Sequence, residues 1–206
     1  PDFYTFADYS KNMIYPKICM DKHFVPWEEK IPKAMFRGQL SGRTKDENGN
    51  RHDRYKLLWD SLNYPDHMEI NFTSKFDSQT MTDDYDEIPR EKEKGWGRVE
   101  MCAEIKHKYM IIIDGNSADW LRGPHILYSS AVPIKIATRF KSLYQDDWIP
   151  WVHYVPVKND QSDLIEKIEW LQQNDDIAKK IAENGRDLFN RLYSLENMIN
   201  DVVRMF

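Results

Sequence analysis

Apolar residues recur along this chain in two rhythms that take turns, short runs or strict alternation, and then a spacing of three to four. The clearest junction lies at 108–122. Tyr109-Met-Ile-Ile-Ile113 is an unbroken apolar run of the kind found in strands buried on both faces. Asp114-Gly115-Asn116-Ser117 follows at once, and then Ala118, Leu121, His125 and Tyr128 at helical spacing, so the segment reads as strand, tight turn, helix.

The same alternation extends in both directions. Residues 33–38 make a short strand ending at Gly38, followed by the polar loop Gln39-Leu-Ser-Gly-Arg-Thr44. Helical spacing through Tyr55, Leu58 and Leu62 covers 51–62, and 67–73 alternates with Met68, Ile70 and Phe72 on one face. Downstream come a buried strand at 132–136, a Trp-rich loop running into a strand at 153–157, and two helices, at 162–173 and from 175 into the 190s. The last two start at good capping residues, Asp160 or Ser162 and then Asn174. Strands alternating with helices in this way predict an α/β fold, a mostly parallel sheet covered on both faces, with ligands at the carboxyl ends of the strands.

Three stretches break the rhythm. Residues 1–33 carry many aromatics and prolines without a period and read as an irregular or short-stranded segment packed over something else. Residues 74–98 mix Asp77, Asp83, Asp84, Asp86 and Glu87 with Arg90, Lys92 and Lys94, the pattern of a solvated loop. A helical piece at 98–104 leads into the central strand.

With 206 residues, 41% of them hydrophobic, the chain can bury a sizeable core. A net charge of -5 argues against nucleic acid or an anionic membrane as the main partner, while leaving room for a local basic pocket. No apolar run approaches the roughly 18 residues of a membrane span. Cys19 and Cys102 match neither a metal-site spacing nor a disulfide framework, so they are read as reduced thiols that could in principle pair.

The chemistry concentrates at two strand ends, Arg37-Gly38 and Asp114-Gly115. A guanidinium offers a planar fork of donors suited to a diphosphate, and the first amides of a helix attract anions. Gly115 lets the backbone approach a ligand closely, and Asn116 or Ser117 can cap the helix. Asp84-Tyr85-Asp86 has the form of a divalent-cation motif in sugar transferases, although three aspartates in four residues are expected of so acidic a loop. His23, His107, His125 and His153 stand singly, none at metal-ligand spacing, and His107 sits at the strand's amino end, away from the ligand edge.

Pro26-Trp-Glu-Glu-Lys-Ile-Pro-Lys-Ala-Met-Phe-Arg-Gly38, Cys102-Ala-Glu-Ile-Lys-His-Lys-Tyr-Met-Ile-Ile-Ile-Asp-Gly-Asn-Ser-Ala-Asp-Trp120, Pro150-Trp-Val-His-Tyr-Val-Pro-Val-Lys158, Asp163-Leu-Ile-Glu-Lys-Ile-Glu-Trp170 and Ile181-Ala-Glu-Asn-Gly185 resemble, in this order, the CAP10-like glycosyltransferases of glycosyltransferase family 90. That family includes protein O-glucosyltransferases and capsule xylosyltransferases. The resemblance implies a GT-B glycosyltransferase, with this chain mainly its carboxyl-terminal Rossmann-like lobe. Residues 1–32 would be a remnant of or linker to the first lobe, 33–190 the UDP-sugar-binding lobe and 191–206 a carboxyl-terminal helix.

Carried over position by position, the resemblance assigns the UDP-sugar to Arg37, Gly38, Gln39, Ser41, Gly115, Asn116, Ser117, Ala118, Asp119 and Trp120. The family commonly has an arginine directly after the aromatic residue of this helix. Here Leu121 intervenes, so Arg122 is the weaker assignment. The family's catalytic base, an aspartate, belongs upstream of Pro1, and Asp2, Asp8 and Asp21 do not align with it. An amino-terminal portion is thus expected outside this chain.

The implied reaction is inverting transfer of xylose or glucose from a UDP-sugar to a hydroxyl of a glycan or protein. It requires no metal cofactor, since fixed cations and a helix amino terminus supply the charge; manganese or magnesium is not favoured. Two rivals remain: a metal-dependent GT-A transferase using Asp84 and Asp86, and a non-catalytic nucleotide- or glycan-binding module. With no leader sequence and few cysteines, a cytoplasmic setting, in a virus-infected host or otherwise, is preferred to the secretory pathway.

Overall fold

The computed structural model describes residues 15–39, 53–73, 101–115, 122–138 and 144–194, together with Gly97, Val99, Phe140 and positions 196, 197, 200 and 203. Five strands, β1 (Ile31–Gly38), β2 (Met68–Phe72), β3 (His107–Ile112), β4 (Val132–Ile136) and β5 (Val155–Val157), form one sheet in the order β2-β1-β3-β4-β5. Every pairing is parallel. Helices α1 (Tyr15–Lys22), α2 (Asp53–Asn63), α3 (Arg122–Tyr128), α4 (Leu164–Gln173) and α5 (Asp175–Leu192) cover it.

β3 is central, and all six of its residues are buried. Its alternate side chains feed two cores, which is why the apolar run has no polar interruption. Tyr109 and Ile111 join Phe36, Tyr55, Leu58 and Ile168 on one face. Met110 and Ile112 join Met35, Ile126, Leu127 and Phe189 on the other. Each fully buried aliphatic or aromatic side chain here contributes about 1.5–3 kcal/mol of transfer free energy.

Ionic contacts fasten the amino edge of the sheet. The Asp175 carboxylate, in the first turn of α5, accepts from Lys108 Nζ at 2.7 Å and from Trp27 Nε1 at 3.0 Å. Lys30, almost fully buried, donates to the carbonyls of Ile105 and of Ser129, tying the approach to β3 to the exit of α3. Burial pulls its ammonium down to about 8. His107 is fully buried, with Nε2 3.0 Å from Glu69 Oε2, and faces this amino edge as its sequence position implies.

Several expectations change. Residues 15–22 are helical rather than irregular; Pro16 fits because the first turn of a helix needs no N–H from it. Met20 of this helix enters the second core. Cys102 sits in a 3₁₀ turn, Met101–Ala103, within the helical piece expected at 98–104, of which Arg98 and Glu100 lie outside the described residues. Its thiol is not free: Cys19 and Cys102 form a disulfide across 83 residues, with Cα atoms 5.7 Å apart, so tertiary proximity overrides the sequence spacing. Helix α4 starts at Leu164, later than expected, because Asp160 folds a local turn onto Ser162 N while Asp163 accepts from Lys158 N. Asn174 precedes α5 without capping it through its side chain; its amide donates back to the Trp170 carbonyl of α4.

Candidate functional site

In the order β2-β1-β3-β4-β5 the chain moves outward from β1 to β2 and then returns to the far side of β1 as β3. The helical connections on either side of this reversal diverge, leaving a crevice outside the carboxyl ends of β1 and β3. Those ends are Arg37-Gly38 and the segment Ile113-Asp114-Gly115, so both strand termini singled out in the sequence meet at the switch point.

Three arginines converge there. Arg54, in the first turn of α2, spans the crevice, with Nη1 2.7 Å from the Gln39 carbonyl and Nη2 3.1 Å from the Ile113 carbonyl. Arg122, at the start of α3, donates from Nη2 to the carbonyl of Arg37. Arg37 itself donates from Nη1 to the Gly97 carbonyl at 2.9 Å. The fully buried ring of Phe36 carries two of them, with the Arg122 guanidinium 4.7 Å and that of Arg54 5.2 Å from its centroid.

Gly38 makes that stacking possible. A Cβ at this position would lie 2.8 Å from the Phe36 ring and 3.4 Å from Arg122 Nη2. Behind the arginines lies Glu104, brought over the sheet face by the chain returning from β2 towards β3. Its Oε1 is 3.6 Å from Arg37 Nε and its Oε2 3.9 Å from Arg122 Nη1, and only 8% of the side chain is exposed. Burial pushes its carboxyl up to about 7, against the pull of Arg122 and Arg37. At the end of β3, Asp114 Oδ2 is buried without a hydrogen-bond partner among the described residues.

Of the sequence-assigned positions, Arg37, Gly38, Gln39, Gly115 and Arg122 lie at or beside this crevice. The intervening Leu121 does not keep Arg122 from β1, since its guanidinium reaches the Arg37 carbonyl. Ser41, Asn116, Ser117, Ala118, Asp119 and Trp120 lie outside the described residues, as do Asp84 and Asp86. Sequence reasoning missed Arg54 and Glu104: Arg54 belongs to no local motif, and Glu104, although inside the Cys102–Trp120 stretch, meets Arg37 and Arg122 only through the tertiary fold. Asp21 is engaged elsewhere, accepting from the Tyr128 hydroxyl with Arg186 3.8 Å away. Among the described residues, Cys19, His23 and Cys102 bring three ligand-type atoms within 4.8 Å, but the two sulfurs are joined in the disulfide and so are not available as thiolate ligands.

The fold is that of the carboxyl-terminal Rossmann-like lobe of a GT-B glycosyltransferase. The C-terminal domain of a Francisella tularensis glycosyl transferase group 1 family protein (LpcC) superposes with a TM-score of 0.54 at 13% identity, covering 87% of this chain and 93% of that domain. Anabaena HepE in complex with UDP-glucose superposes with a TM-score of 0.58 at 10% identity, covering 97% of this chain and 53% of that one. The GT-A alternative, a different fold, is thereby set aside.

The chain belongs to glycosyl transferase family 90, whose family model matches residues 11–204. Protein O-glucosyltransferase 3 of Rattus norvegicus is 32% identical over 176 residues, which cover 81% of this chain. The match spans 30% of that protein, so this chain corresponds to less than a third of the relative's length.

Proposed function

We propose that this chain is the donor-binding lobe of an inverting glycosyltransferase that moves glucose or xylose from a UDP-sugar to a hydroxyl of a protein or glycan acceptor. The observation that carries this is the meeting of Arg37, Arg54 and Arg122 at the β1/β3 switch point, the last two over the Phe36 ring. Guanidiniums fixed in advance at the end of a sheet suit a diphosphate and stabilise the charge that develops on UDP as it leaves. Family membership, the rat relative's name as an O-glucosyltransferase and the UDP-glucose held by HepE support the same reading.

In this reading Arg37, Gly38, Gln39, Ser41, Gly115, Asn116, Ser117, Ala118, Asp119, Trp120 and Arg122 bind the donor. Arg54 holds the two strand ends at a fixed separation. The base that takes the acceptor proton is an aspartate outside this set. With guanidiniums supplying the positive charge, transfer proceeds without a divalent ion, and activity should survive a chelator. The disulfide favours an oxidising compartment for the protein, contrary to the cytoplasmic expectation from composition.

The test is calorimetry of UDP, UDP-glucose, UDP-xylose and GDP-glucose against the full-length protein and its Arg122→Gln variant. Binding of uridine nucleotides alone, weakened at least tenfold by the substitution, is expected, since a charge-assisted bond is worth about 1.5–3 kcal/mol. If no uridine nucleotide binds, the proposal falls. If UDP-sugars bind but neither releases UDP with any acceptor, the chain belongs to a non-catalytic binding module.

A further inference from the structure

Glu104 is a buried carboxylate placed behind the arginines rather than among the ligand-facing groups. From β1 it meets Arg37, and from α3 it meets Arg122. His125 of α3 lines the same small hollow, together with Met20 of α1, Ile105, Met110 and Ile126. From β3, His107 Nδ1 stands 3.3 Å from the main-chain oxygen of Glu104. From the turn before β1, the buried Lys30 ammonium donates to the carbonyl of the adjacent Ile105, and Arg54 of α2 lies over the Phe36 ring on which Arg122 also stacks.

Such a carboxylate orients two guanidiniums, and it also stands close to wherever those guanidiniums hold an anion. Resting on the donor-site reading above, we propose that Glu104 is a positioning residue that couples UDP-sugar binding to the uptake of one proton. As a carboxylate it draws Arg37 and Arg122 together; once a diphosphate shares those guanidiniums, two like charges face each other in a dry site. A proton on Glu104 removes that repulsion, and its oxygens still bracket the arginines. No covalent bond forms or breaks in this step, and the proton comes from solvent.

The proton is within reach at neutral pH because burial already raises this carboxyl to about 7. A bound anion raises it further, since like charge favours the neutral form. By linkage, binding that raises a pKa takes up protons and weakens as pH climbs through the unliganded value. A UDP-sugar is a clean probe, because each of its phosphates is esterified and keeps a constant charge between pH 6 and about 8.

The experiment is titration of UDP-glucose and UDP-xylose into the full-length protein at pH 6, 7 and 8, in pairs of buffers differing in ionisation enthalpy. Uptake approaching one proton at pH 8, with affinity about tenfold weaker than at pH 6, is expected. Glu104→Gln should abolish both effects and bind at pH 8 as the wild type does at pH 6, whereas His125→Asn should keep the uptake. Binding without proton uptake, or uptake that survives Glu104→Gln, overturns the inference and leaves the donor site standing. Failure of any uridine nucleotide to bind overturns both. The buffer comparison on the wild type needs no variant and stands even if Glu104→Gln folds poorly.

Discussion

At the scale of single residues, the site depends on how closely groups are allowed to approach. Gly38 leaves room for the Phe36 ring beside the guanidiniums of Arg54 and Arg122, and a methyl group there would meet the ring at 2.8 Å. Gly38→Ala should therefore cost about 1–3 kcal/mol in urea unfolding, the usual range for overpacking, and should weaken UDP binding as the platform tilts. Tyr109 presents the opposite case. Its ring is fully buried in the central strand, its hydroxyl finds no hydrogen-bond partner among the described residues, and burial, then the Asp175 charge, raises its pKa well above the usual tyrosine range. Tyr109→Phe removes a desolvated polar atom and keeps the packing, so thermal unfolding should show unchanged stability or a gain of up to about 1 kcal/mol.

At the scale of elements, the connections carry as much as the strands. Lys30 joins the turn before β1 to the carbonyls of Ile105 and Ser129. Burial lowers its ammonium from 10.5 to about 8, so the folded state holds this proton less tightly than the unfolded state. The resulting cost is fully present below about 8 and is relieved as pH rises towards 10.5. Lys30→Met lacks that relief. Its destabilisation relative to the wild type should be larger at pH 10 than at pH 7.5 in paired urea titrations.

Helix α1 is held by a different device, the Cys19–Cys102 disulfide closing a loop over 83 residues of separation. A loop of that length is worth about 4.5 kcal/mol in the chain-entropy account. Cys19→Ser should lose roughly 2–4 kcal/mol, and added dithiol should lower the wild type to the same stability while leaving the variant unchanged.

At the scale of the whole molecule, the strand order is what turns scattered residues into a site. Because the chain reverses direction across the sheet between β1 and β3, arginines from β1, α2 and α3 meet at one crevice although they stand at positions 37, 54 and 122. In the proposed function these fixed cations, not a bound ion, supply the positive charge. Sugar transfer by the full-length protein should thus be the same within error with and without a chelator; abolition by chelator and restoration by manganese would reassign the source of charge.

The sequence by itself determined the elements and the edge. Strict periodicity and unbroken apolar runs follow from the two-residue and three-to-four-residue repeats of strand and helix, so 132–136 and the strand before Gly38 are legible one residue at a time. The ordered motifs carried the family for the same reason: they are local. Where a signal is short or depends on a neighbour, the sequence misleads. Ile177 looks like a core position of α5, yet it is 48% exposed and Ala178 is buried in its place, because the docking angle of the helix, not hydrophobicity alone, selects the inward stripe.

Only the tertiary structure decided the rest. The Cys19–Cys102 pairing, the helical state of 15–22 and the recruitment of Arg54 and Glu104 all depend on contacts between residues far apart in sequence. No local pattern encodes such contacts. They arise when a parallel sheet brings the ends of strands together and its crossover connections drape side chains over the same edge.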